Sequence, residues 1–80
     1  MKSTTLRDIA IGESATITGF TQAHPQLRRK MLAMGIMPGT LVTILRVAPL
    51  GDPIHIKLRG TSVSLRSQEA AILVVTPNPL

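Results

Sequence analysis

The carboxylates that could exchange a proton with a substrate are Asp8, Glu13, Asp52 and Glu69, and they are scattered along the chain. None forms the spaced pair that general acid–base work needs. No phosphate-binding loop and no dinucleotide fingerprint occurs, and the two histidines stand in different contexts. The sequence therefore reads as a non-enzyme. A transition-metal site of the facial-triad kind wants imidazole and carboxylate on one face, typically two His and one acid. His24 lies just before a predicted helix, where it either caps or meets solvent. His55 is expected to face Arg66 across a hairpin, and a neighbouring cation repels a metal ion. Neither a metal site nor a cofactor is expected.

The chemistry that remains belongs to cations. In "IHIKLRGTSVSLR", Ile54, Ile56 and Leu58 point one way, and His55, Lys57 and Arg59 the other. Gly60-Thr61 fits a two-residue type II′ turn with glycine first. That register pairs Leu58 with Val63 and Ile56 with Leu65. On the outer face it pairs Arg59 with Ser62, Lys57 with Ser64 and His55 with Arg66. The stripe His55, Lys57, Arg59, Arg66 is either a solvated face that discourages edge pairing or a surface for an acidic partner. Single-strand nucleic-acid readers stack bases on aromatic rings. This chain has only Phe20, so nucleic acid is disfavoured, and a basic RNA-binding barrel stays as an alternative.

A second group of cations sits on "PQLRRKMLAM". Pro25 suits a first helical turn, and Leu27, Met31 and Met34 follow i, i+4, i+7 on one face. Leu32 is expected to widen that face. Arg29 and Lys30 lie opposite, with Arg28 at the border, as partner candidates. Gly35 ends the helix, and Pro38-Gly39 makes a type II turn. The loop "PLGDP" offers Leu50 as an apolar anchor beside Asp52, on the kind of loop where recognition concentrates.

These residues must be held by a thin scaffold. The chain has 80 residues, no cysteine and one aromatic residue, so it is one domain with an aliphatic core. Residues 1–5 and 76–80 read as loose tails. Net charge is +5, with nine Lys and Arg against four acids, which favours anionic partners. No apolar run approaches the ~20 residues that span a bilayer, and the N-terminus lacks the apolar stretch of a secretory signal. A reducing, cytoplasmic setting without direct membrane insertion is expected. Thr5 caps a short turn with Asp8 reaching back. "SATITGF", "LVTILRVA", the two arms of "IHIKLRGTSVSLR" on either side of Gly60-Thr61, and "AILVV" read as strands, and "SQEA" as a turn that Ser67 caps. Mainly β structure follows: a small, strongly bent barrel of about five strands, closed to hide its edges, with one α-helix inserted after the first strand. Exposed strand edges and Leu or Met side chains leave self-association open.

The helix with its "GIMPG" exit, the loop "VAPLGDPIHI" and the hairpin "VSLR" resemble, in order and spacing, the ferrous iron transport protein A (FeoA) family, from about Leu6 to Val75. The resemblance implies an SH3-like barrel with a helical insertion. It implies a small cytoplasmic protein, recruited to the inner face of the membrane by FeoB, a ferrous-iron transporter with a cytoplasmic G-protein domain. Docking on that region to modulate transport is the expectation. The alternative is a GTPase activator that inserts Arg28 or Arg29 near the γ-phosphate.

Overall fold

The computed structural model describes residues 4–21 and 25–77. Asp8 Oδ2 accepts the Thr5 N–H at 2.9 Å, closing a 3-10 turn over Leu6–Asp8. The turn buries Leu6 and Ile9. Strand β1, Ser14–Phe20, alternates as its pattern demands, with Ala15 and Ile17 fully buried and Thr18 outside.

Helix α1, Pro25–Ala33, buries Met31 completely and half-buries Leu27 against the core, and Met34, just past its end, is half-buried there too. Leu32 does not widen this face; it is 41% exposed. A nine-residue helix lying on so small a sheet offers a contact stripe one side chain wide, and Leu32 sits about 100° round from it. Gly35 takes φ +86°, a conformation that favours glycine. Gly35 N–H then donates to Leu32 at 3.0 Å and Ile36 N–H to Met31 at 2.9 Å. These are the paired bonds of a Schellman cap, whose apolar partners are here Met31 and Ile36, both fully buried.

The Pro38-Gly39 turn closes through Thr40 N–H to the Met37 carbonyl at 3.0 Å. Gly39 N–H and the Thr40 carbonyl then bind the Ile17 backbone, each at 2.8 Å, which seats the returning chain on β1. Strands β2 (Leu41–Val47), β3 (Ile54–Leu58), β4 (Thr61–Leu65) and β5 (Leu73–Pro77) follow. Among the described residues they form one antiparallel sheet, ordered β4-β3-β2-β1-β5. Its concave side carries the aliphatic core: Ile17, Val42, Ile44, Ile56, Leu65 and Leu73, all at most 1% exposed.

Three expectations need correction. The barrel is not closed by hydrogen bonds, because β4 and β5 are not paired with each other. The chain from Leu65 to Leu73 turns through a one-turn helix, α2 (Ser67–Ala70), and buried Ala70 and Ile72 complete the interior there. "SQEA" is thus helical, and Ser67 lies inside it; its N–H is capped from outside by Asp52 Oδ1 at 2.9 Å. The tails are shorter than drawn. Thr5 bridges Val74, Val75 N–H donates to Thr4 at 2.9 Å, and Thr76 and Pro77 pair with Thr16 and Ala15.

Met31→Ala should lower unfolding free energy by about 2–5 kcal/mol, the cost of a large buried side chain lost with partial collapse. Urea midpoints of wild type and variant check this, and Leu32→Ala should change the midpoint little.

Candidate partner-docking surface

The hairpin carries most of the predicted cations, and its register differs from expectation. Ile54 pairs with Leu65, His55 with Ser64, Ile56 with Val63, Lys57 with Ser62 and Leu58 with Thr61. The turn is therefore Arg59-Gly60, with φ +52° and +78°, the pair of positive values of a type I′ turn. The slip is two residues, so each side chain keeps its face. A type I′ turn follows the right-handed twist of its strands, and the aliphatic pairs Ile56–Val63 and Ile54–Leu65 line up. His55 consequently does not face Arg66. Its Nδ1 shares a 3.0 Å hydrogen bond with Ser64 Oγ. His24 lies outside the described residues.

Arg46 joins this face unannounced. Strict alternation after Val42 and Ile44 would turn it inward. The pairing shifts between Ile44 and Arg46, so a bulge at Leu45 rotates Arg46 outward opposite His55. A charged residue in phase with buried neighbours was the available signal. Two cross-strand rows result: Thr43–Lys57–Ser62 and Arg46–His55–Ser64. Ser14 Oγ extends the first row by a 2.7 Å hydrogen bond with Thr43 Oγ1.

At the hairpin tip, Arg59 stands between two clefts. One is lined by Met37, Pro38, Gly39, Thr40 and Leu41, with Met37 and Leu41 exposed. The other is lined by Met34, Gly35, Leu58, Thr61 and Val63. Leu50 and Asp52 are not gathered here: they lie before β3, whereas Arg59 follows it. Leu50 is 95% exposed.

Several of the other predicted residues are engaged internally. The Arg28 guanidinium lies 5.6 Å from the Phe20 ring centre, a cation–π distance. Asp52 caps α2 and faces Arg66 at 3.9 Å. Lys30 Nζ donates to Glu69 Oε2 at 2.5 Å, joining α1 to α2. Glu69 is almost fully buried, and Oε1 accepts the Arg66 N–H at 2.8 Å. Burial alone would raise its pKa, but the Lys30 bond, the Arg66 N–H and the two positive charges together hold it below its ordinary value. Sequence reasoning gave Lys30 to a partner and left Glu69 without a role. Among the described residues Arg29, Arg46, Lys57 and Arg59 make no ion pair, and no three His, Asp or Glu side chains gather as a metal-ligand group. No helix there is long and apolar enough to cross a membrane.

With this geometry, similarity to known proteins can be placed. Residues 4–77 match the FeoA domain family. The chain is 31% identical over 70 residues to an Fe(2+) transport protein A/Fe(2+) transporter FeoB fusion protein of Porphyromonas gingivalis. That alignment takes in 88% of this chain and 8% of the fusion protein. A solution structure of a FeoA-like protein from Clostridium acetobutylicum superposes with TM-score 0.86 and 38% identity, over 96% of this chain and 88% of that one. A zinc-complexed FeoA of Stenotrophomonas maltophilia, described as a procaryotic SH3 domain protein, superposes with TM-score 0.77 and 25% identity, over 90% and 88% of the chains. The fold is SH3-like, as expected.

Two outcomes test this geometry. Glu69→Gln should lower stability at neutral pH by about 1–3 kcal/mol, since it weakens a buried charge-assisted bond. A carboxylate with a lowered folded pKa stabilises above its ordinary value and loses that contribution as pH falls through the folded value. Wild-type stability should therefore drop in the acid range below about pH 4.5, with a flatter profile in the variant, as denaturant titrations across pH will show. Arg59→Asn should raise the thermal midpoint, by about 0.5–1 kcal/mol of stability, because Asn tolerates the left-handed region better than Arg.

Proposed function

The chain belongs to the FeoA domain family, and from that premise we propose that it is an accessory protein of ferrous iron uptake. It binds the cytoplasmic part of a FeoB-type transporter and modulates its activity. The observation that carries this reading is the fusion protein of Porphyromonas gingivalis, which is named for both proteins in one chain and of which this chain spans 8%. A covalent link keeps two modules at high effective concentration. A separate chain needs a surface that does the same work. The net charge of +5 and the ion-pair-free Arg29, Arg46, Lys57 and Arg59 supply one for an acidic region. Modulation then requires a difference in affinity between two states of the transporter, because a ligand shifts an equilibrium only by that difference. The proposed setting is the cytoplasm, with recruitment to the inner membrane face by the partner.

The geometry favours an adaptor over a GTPase activator. Arg28 rests on Phe20 and would have to leave it to reach a γ-phosphate. That leaves Arg29 on the exposed face of α1. RNA binding is disfavoured by the same contact, since the sole aromatic face is half-buried and already carries a guanidinium.

The test pairs titration calorimetry against the transporter's G-protein region with its GTP hydrolysis rate. Saturable binding that weakens with added salt, with hydrolysis changed less than about tenfold, is expected. A supplied arginine finger would give about 10³–10⁵. Acceleration of that size, abolished by Arg29→Ala, would establish the activator instead. No binding in any nucleotide state overturns both.

A further inference from the structure

Among the described residues, the sheet has room for one more strand at one end. The outer edge of β5 is covered by Thr4 and Thr5 and finishes at Pro77. Among the described residues the outer edge of β4 has no such cover. A two-residue turn makes Leu58 and Thr61 the closing hydrogen-bonded pair, and alternation makes Ile56–Val63 and Ile54–Leu65 the next ones. The backbone N–H and C=O groups of Ser62 and Ser64 therefore point away from β3. Among the described residues they meet no backbone partner. Proteins usually blunt such an edge with proline, a bulge or an inward charge. β4, "TSVSL", has none of these, and its register is unbroken.

We propose that the free edge of β4 docks an extended segment of a partner in which two acidic side chains flank an apolar one at alternate positions. The side-chain period of a strand dictates the pattern. On the inner side, burial loosens toward the tip, from buried Leu65 through half-buried Val63 to exposed Thr61. The cleft there, lined by Met34, Leu58, Thr61 and Val63, receives the apolar side chain. On the outer side, the residues before and after it lie beside Ser62 and Ser64. Behind these serines stand Lys57 and His55, and a serine is short enough for a carboxylate and a lysine to meet across it. Arg59 and Arg66 flank the two ends of the strand.

The same charges select against a second copy of this chain. Two β4 edges paired antiparallel about Val63 would bring each Arg66 opposite Gly60 of the other copy, next to its Arg59. Like charges brought that close disfavour the pairing, an effect reduced by Asp52, which faces Arg66 at 3.9 Å. An acidic strand relieves what a second copy would aggravate.

The inference rests on the proposed function for its partner: the segment belongs to the transporter's cytoplasmic part. The probe is a capped Glu-Val-Glu-Val-Glu peptide titrated into the ¹⁵N-labelled full chain, with Lys-Val-Lys-Val-Lys as control. Saturable binding of the acidic peptide alone is expected, with amide exchange at Ser62 and Ser64 slowed at least tenfold. Ser62→Pro removes an outward N–H and spares the β3 ladder; it should weaken binding at least tenfold. Should that variant unfold, Lys57→Glu with Arg59→Glu reads the same site by charge and should lose the acidic peptide. Protection elsewhere, unchanged binding in the variants, or protection that grows with protein concentration without peptide overturns the proposal. The variants are then titrated into the transporter's G-protein region. Full retention there with loss of the peptide overturns edge docking and leaves the transporter reading standing. No wild-type binding there, with the peptide still held at β4, removes the transporter and leaves the edge site.

Discussion

A nine-residue helix is too short to hold itself together in water, and this protein relies on one to cover its interior. What keeps α1 in place is the pairing of Met31 with Ile36 through the Schellman cap, two fully buried side chains joined by a backbone hydrogen bond. The left-handed Gly35 makes that reversal, and the Pro38-Gly39 turn then delivers the chain to β1. The core has no aromatic residue at its centre and no disulfide, so shape rather than cross-linking confines it. Lys30 and Glu69 add a polar clasp between the two helices.

This arrangement sets apart two groups among the cations. Arg28, Lys30 and Arg66 are committed to Phe20, Glu69 and Asp52, partners far away in sequence except for the first. Arg46, Lys57 and Arg59 are held by backbone alone, on or beside a sheet whose outward neighbours are serine and threonine. A surface made this way presents charge beside small apolar clefts at the hairpin tip, rather than a broad apolar platform. Arg59 is the extreme case: a residue with a Cβ in a backbone region that disfavours it, retained where Asn or Gly would be more comfortable.

The strands, the first helix and its glycine exit were legible because local chemistry and global packing agree there. Pro25, Met31, Gly35 and the Val-Ile-Leu alternation all say the same thing. The hairpin register was not, because arginine in a left-handed position hid the turn signature that Asn-Gly would have shown. The Leu45 bulge was hidden for the opposite reason, since a strand reading assumes the regularity that Arg46 denies. Glu69 could not be read at all. Its meaning depends on Lys30, thirty-nine residues away, and only the folded chain brings them together. Leu32 looked apolar enough for the core, but the sheet is too narrow to accept it. Family resemblance placed the SH3-like architecture correctly and said nothing about which cations are already spoken for.

The loop before β3 has a last consequence. Ala48 N–H binds the Pro53 carbonyl at 3.0 Å, Gly51 N–H binds Ala48 at 2.8 Å, and Asp52 is fastened to Ser67. Leu50 therefore projects from a peg fixed on both sides rather than from a swinging tether. Immobilising a side chain and its backbone on association is a large entropic loss, and here the backbone share of it has been settled during folding. The Leu50 side chain itself, 95% exposed, keeps its rotamers, so any contact made there has only that smaller freedom left to order.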